Sequence, residues 1–148
     1  MNQSNASSVF VDAGGGRKLQ VLADQIRVLA SGADTGGKYE VFELTGPKDS
    51  GPPPHLHPWD EAFFIVEGEI DAHIGDQAVH AAAGSFVRVP ANTAHSFRIT
   101  SPSAKFVVLT TEARTSAFFE AMDREIGFPP PSMEAVLKVA ERQGIRLA

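Results

Sequence analysis

The chain has 148 residues, about one domain's worth of protein. With 43% apolar and 21% charged residues it has the balance of a soluble globular protein with a core of its own, and its lack of Cys excludes disulfide frameworks, Cys-ligated zinc, iron–sulfur clusters and thiol nucleophiles. A net charge of −5 and a pI near 5.5 argue against a nucleic-acid or anionic-membrane partner held by bulk charge.

Residues 1–18 are Asn/Ser-rich and end near Gly14-Gly15-Gly16, which reads as a flexible N-terminal arm with a short strand at Val9–Val11. MNQSNASSVF has neither the basic nor the apolar region of a secretory signal, so a cytoplasmic location is expected. From 19 to 111 the pattern is short β-type segments divided by turn signals. Ile26–Ala30 ends at Ser31-Gly32. Lys38–Thr45 alternates and is expected to break at Gly46-Pro47. Ala62–Glu67 holds the longest unbroken apolar run, Ala62–Val66, far short of the roughly 20 residues that span a bilayer. Glu69–Ile74, Gln77–Ala82, Phe86–Val89, His95–Thr100 and Lys105–Thr111 follow. Strands this short, roughly 10 residues apart, point to an all-β sandwich or barrel rather than alternating β/α units.

Residues 112–148 change character to a helical extension. Thr115 or Ser116 is placed to cap a helix running to about Ile126, with Phe118, Ala121, Met122 and Ile126 as its apolar stripe. Gly127 and Pro129-Pro130-Pro131 stop it. Ser132 is placed to cap a second helix whose stripe is Met133, Val136, Leu137 and Ala140. Both are expected to pack on the β domain or on a second subunit.

Gly32-Ala33-Asp34-Thr35-Gly36-Gly37-Lys38-Tyr39 imitates a phosphate-binding loop, but Tyr39 stands where the small hydroxyl is needed. A strand follows where that motif must open a helix. A Gly-rich turn between strands is the reading.

The chemistry lies in five His: His55, His57, His73, His80 and His95. Pro54 and Pro58 bias His55-Leu56-His57 toward extended backbone, in which positions i and i+2 point to one side. Glu61 shares its parity with Phe63 and Ile65 and so faces inward, where a carboxylate is costly unless paired. His95 shares its parity with Phe97 and Ile99, again inward. His73 and His80 fall on outward positions. Three imidazoles and one carboxylate suit Mn, Fe, Co, Ni, Cu or Zn rather than Ca or Mg. In an octahedral ion this leaves two positions open.

His55-Leu56-His57-Pro58-Trp59-Asp60-Glu61, with Gly68 beyond, resembles the first motif of the cupin superfamily. Gly84-Ser85-Phe86-Val87-Arg88-Val89-Pro90-Ala91-Asn92-Thr93-Ala94-His95 resembles the second. Asn92 replaces the usual Gly and accepts a left-handed backbone better than most residues. Ile99 stands where the motif often ends in Asn, and Gly51 is displaced toward His55. The Thr35–Tyr39 lead-in and the helical tail are similar to single-domain, quercetin-dioxygenase-like cupins. The resemblance implies a jelly-roll barrel (a double-stranded β-helix) with C-terminal α-helices, and a homodimer. It also implies one divalent first-row metal on His55, His57, Glu61 and His95.

The function expected is that of a metal-dependent oxygenase for a small aromatic or oxygenated substrate. Glu61 would serve as ligand and proton acceptor, and Phe63, Ile65, Val89 and Phe97 would line the pocket. A non-catalytic ligand-binding module on the same barrel is a second reading, because fold alone does not decide function. A metal-dependent isomerase of a sugar or keto acid is a third. It is disfavoured because the parity of Arg88 and Arg98 turns them outward.

Overall fold

A computed structural model describes residues 7–148. β1 (Lys18–Val21) and β2 (Asp24–Ala30) form a hairpin, and a single helical turn α1 (Gly32–Thr35) leads to β3 (Tyr39–Pro47). The two-residue β4 (His55–Leu56) precedes β5 (Glu61–Glu67), β6 (Glu69–Ile74) and β7 (Gln77–Ala82). β8 (Phe86–Val89), β9 (His95–Ile99) and β10 (Ser103–Thr111) complete the barrel strands. α2 (Thr115–Ala121) runs on into a wider π-helical turn, Met122–Ile126. α3 (Met133–Arg142) and β11 (Arg146–Leu147) follow.

Six strands pair in the order β1-β2-β3-β10-β5-β8 and five in the order β11-β4-β9-β6-β7, with every pairing antiparallel. Alternation decides what faces in. Along β3 and β10 every second residue is buried, and the register sets Leu44 beside Phe106 and Phe106 beside Ile65. Phe42, Phe106, Ile65, Ile70 and Ile99 are fully enclosed in a core shared by both sheets. Each such side chain contributes about 1.5–3 kcal/mol of burial. No helix among the described residues is long and apolar enough to cross a membrane.

Several expectations need correcting. The first six residues of the N-terminal arm lie outside the described residues. Val9–Val11 forms no strand, because Asp12 Oδ1 accepts the Gly14 amide (3.1 Å) and turns the chain before a ladder can form. Ser7 N–H donates to the Asp34 carbonyl (2.8 Å), which fastens this stretch to the barrel. The Gly-rich turn contains α1, closed by Gly36 in the left-handed region. β3 does not break at Gly46-Pro47 but continues through both, with Pro47 as its last residue opposite Ser103. Neither Thr115 nor Ser116 caps α2. The buried carboxylate of Glu40 does, accepting the Ser116 amide (2.8 Å) through one oxygen and the Gly32 amide (2.8 Å) through the other. Ser132 does cap α3, accepting the Ala135 amide (3.1 Å). The buried stripe of α3 is Val136, Val139 and Ala140, while Met133 at its first turn is mostly exposed.

Residues 112–148 pack on the barrel at two places. Ala121, Met122, Val136 and Val139 bury one patch against Val21 and Leu22 of the first hairpin. Ala140 and Ile145 bury Trp59. β11, which no pattern in the sequence announced, then pairs with β4, setting Leu147 beside His55.

Candidate metal centre

β4 and β9 are neighbours, and their register places His55 directly opposite His95. The two rings lie 4.2 Å apart, within the reach of a cross-strand pair. His57 follows β4 and is almost completely buried. Trp59 lies parallel to it at 4.4 Å (8° between planes), and the Arg114 guanidinium sits 5.2 Å from the Trp59 ring. Glu61 opens β5 and pairs with Thr110 of β10 and Val89 of β8. His95 opens β9 after a turn through Asn92, whose φ of 60° is the left-handed conformation expected of it. The Asn92 amide donates to the His57 carbonyl (2.8 Å), so the turn before His95 is clamped to the strand end bearing His57.

Side-chain nitrogens of His55, His57 and His95 and a carboxylate oxygen of Glu61 all lie within 4.8 Å of one another, a cluster able to hold a metal ion. The tautomers follow from the surroundings. Each Nδ1 meets a backbone carbonyl: His55 that of Pro53 (2.9 Å), His57 that of Trp59 (3.0 Å), His95 that of Thr93 (2.8 Å). A carbonyl only accepts, so each Nδ1 carries the hydrogen, and each Nε2 of a neutral ring presents a bare lone pair. Glu61 Oε2 stands 2.9 Å from His57 Nε2 and 3.1 Å from His95 Nε2. Lone pairs of two imidazoles and a carboxylate thus face one another, an arrangement that is repulsive until a cation, proton or metal, sits among them.

The charges are set to match. Burial pushes the Glu61 carboxyl up, but where a proton occupies the shared space His57 and His95 donate to it through Nε2 and hold it at about 2, ionised at neutral pH. Burial, with the neighbouring His95, pushes His55 down to about 4, so its ring is neutral. Burial also works to lower His95, but the Glu61 carboxylate prevails and raises it.

The cluster opens on a cavity of about 490 Å³ with mostly apolar walls. Phe63 and Phe97 line it, with Phe106 edge-on to both at 5.6 and 5.1 Å. Ile65 and Val89 do not line it. Both are buried elsewhere in the core, because parity assigns a residue to a face of the sheet but not to a particular stretch of that face. The helical tail contributes Phe118, Phe119 and Met122 to the wall. His73 and His80 are on the outside, His80 held by Asp71 (2.7 Å). Arg88 and Arg98 are also outside.

Residues 42–112 match the cupin domain family. The barrel is a cupin domain. Quercetin 2,3-dioxygenase from Bacillus subtilis (strain 168) is 31% identical over 114 residues, covering 76% of this chain and 34% of that protein. The chain therefore spans about a third of the length of this curated relative. The fold is also that of KdgF from Halomonas sp. (TM-score 0.67, 15% identity, 74% of this chain and 98% of that one). An RmlC-like cupin from Shewanella frigidimarina is equally similar (TM-score 0.67, 15% identity, 76% and 97%).

Three contributors to the cupin site escaped the sequence reading. Trp59 is the stacking partner of His57. Asp60 Oδ1 accepts the Ala91 amide (2.8 Å), tying the strand of Glu61 to the turn before His95. Leu147 pairs with His55. Only the first two carried a signal: both sit between His57 and Glu61, where side chains must serve the ligands around them.

Proposed function

We propose that His55, His57, Glu61 and His95 bind one divalent first-row transition ion. We propose further that this cupin is a metal-dependent oxygenase of a small aromatic, oxygenated substrate. The observation that supports this most is the commitment of all three Nδ1 atoms to backbone carbonyls, which aims three Nε2 lone pairs and one carboxylate at a shared point beside an apolar cavity. An ion bound there would supply Lewis acidity toward a substrate oxygen and access to dioxygen chemistry. Glu61, which lines the cavity, would accept the proton of a substrate hydroxyl whose acidity a bound ion would raise. Phe63, Phe97 and Phe106 would hold a flat ring and keep water from it. The curated relative is named for quercetin, which fits such walls.

The test is metal analysis of protein purified without a His-tag, then oxygen uptake with quercetin, other flavonols and diketones. One equivalent of a first-row metal with oxygen consumed is the expected result. Metal present with ligand bound but no oxygen consumed would replace the oxygenase with a binding module. Absence of stoichiometric metal would overturn the site itself.

We also propose a homodimer. Phe64, Val66, Phe86 and Leu109 lie on the outer face of the six-stranded sheet, toward its β8 edge, and each is 39–65% exposed. Such a patch is commonly an interface. The remaining partner is the small molecule in the cavity.

A further inference from the structure

One charged side chain of the cavity wall lies outside the His/Glu cluster and is nonetheless buried. Asp24, the first residue of β2, is 8% exposed and lines the cavity together with Ser50. The Ser50 hydroxyl donates to Asp24 Oδ1 at 2.7 Å. Position 46 on β3 is built around this pair, since a Cβ there would collide with Asp24 Oδ1 and Ser50 Oγ, and Gly46 alone leaves the room. The surrounding wall is apolar: Ile26, Leu44 and Phe106 line the same space. A carboxylate in such a wall is costly unless its oxygens find donors. Ser50 provides for one oxygen, and no other side-chain or backbone donor reaches the carboxylate among the described residues.

Its place in the cavity is also defined. Gly46, which faces Asp24, pairs with Ala104 near the start of β10, whereas Glu61 pairs with Thr110 near its end. Ser50 and His55 are joined by five residues of chain, so the two polar loci lie within about 18 Å of each other. On β10 Phe106 falls between these two positions, Phe63 pairs with Val108 in the same interval, and Phe97 lines the same cavity.

We infer that Asp24, oriented by Ser50, is a second polar subsite that accepts a hydrogen bond from a hydroxyl on the substrate at the end remote from the His/Glu cluster. The inference rests on the reading of the cavity as a substrate site and adds to it. The substrate class becomes an elongated, apolar-bodied molecule with a chelating oxygen group at one end and a phenolic or alcoholic hydroxyl at the other. Burial raises the Asp24 carboxyl to about 6 against the pull of the Ser50 hydrogen bond, so at neutral pH the acceptor is an under-solvated carboxylate. A donor from the ligand would complete it.

The test compares two probes on metal-loaded protein, without oxygen, by titration calorimetry. Quercetin carries hydroxyls on its outer rings. 3-Hydroxyflavone keeps the chelating hydroxy-ketone and lacks them. Wild type is expected to prefer quercetin by about ten- to hundredfold, the range of a hydrogen bond to a charged group. Asp24→Asn keeps the side-chain shape and should lower the preference about tenfold. Asp24→Leu should abolish it, with binding of 3-hydroxyflavone retained. Equal affinity of wild type for the two probes, or an undiminished preference in both variants, would overturn the subsite and leave the metal site standing. Binding of neither probe to metal-loaded wild type would overturn the substrate class and the subsite together. The readout is a ratio between ligands, which a purely structural role for Asp24 would not move.

Discussion

Replacing Asp24 by Asn should make the protein more stable at neutral pH and change little in acid. The carboxyl is raised from 3.8 to about 6 in the folded chain, with burial as the main cause and the Ser50 hydrogen bond opposing it. Below about pH 3 the group is mostly protonated in both folded and unfolded chains and contributes almost nothing to the balance. As the pH rises, the unfolded chain loses its proton first, while the folded chain holds on until about pH 6. Stability therefore falls across this window and levels off above it. A displacement of about two pKa units corresponds to about 3 kcal/mol. The Asn variant lacks this loss, so its advantage over wild type should grow by about 3 kcal/mol between about pH 3 and pH 7, or about 6–12 °C in Tm for a chain of this size. Thermal and urea unfolding of both proteins across that range, with chelator present so that metal binding does not intrude, measures the difference directly. A wild-type-to-variant difference that stays flat from pH 3 to pH 7 would refute the reasoning. It would mean that the carboxylate is better solvated than its burial in the wall implies.

Other substitutions address the cluster and the fold. His57→Ala or His95→Ala should each lose most of the bound metal by elemental analysis, whereas His73→Ala should keep it. Full metal content in either of the first two would count against the ligand set. Because an ion binds the folded chain only, removing it with chelator should cost about 4 kcal/mol relative to protein held at a thousandfold excess over Kd, or about 8–16 °C in Tm. Glu40→Ala strands the Gly32 and Ser116 amides, at about 1–3 kcal/mol each, and should loosen α1 and α2 together in hydrogen-exchange measurements. If the proposed dimer forms through this face, Phe64→Asp combined with Phe86→Asp should give monomer in light scattering where wild type gives dimer, without loss of metal; a monomeric wild type would overturn the dimer.

The site was legible where local periodicity governs it. Glu61, Phe63 and Ile65 share a face because a strand alternates, and His95 and Phe97 do so for the same reason. The left-handed turn at Asn92 was legible from residue type alone. What escaped depends on contacts made across the chain. The cap of α2 comes from Glu40, 76 residues before Ser116, so the nearby hydroxyls of Thr115 and Ser116 misled. β11 is two residues long and exists because β4 offers it an edge. Asp24 sits at a hairpin corner, where its sequence neighbours do not reveal the apolar wall around it. Ile65 and Val89 show the limit of parity: the inward face of the sheet, but not the wall of the cavity.

Trp59 has a practical consequence. The chain contains one tryptophan, and its ring is sealed from solvent against the imidazole of His57. Emission excited at wavelengths that the single tyrosine, Tyr39, does not absorb therefore arises beside a single proposed ligand. An open-shell ion arriving at that imidazole should darken it, and a closed-shell one should at most shift its colour. The molecule thus carries its own optical gauge of occupancy, usable in unlabelled protein and responsive to which kind of ion has arrived.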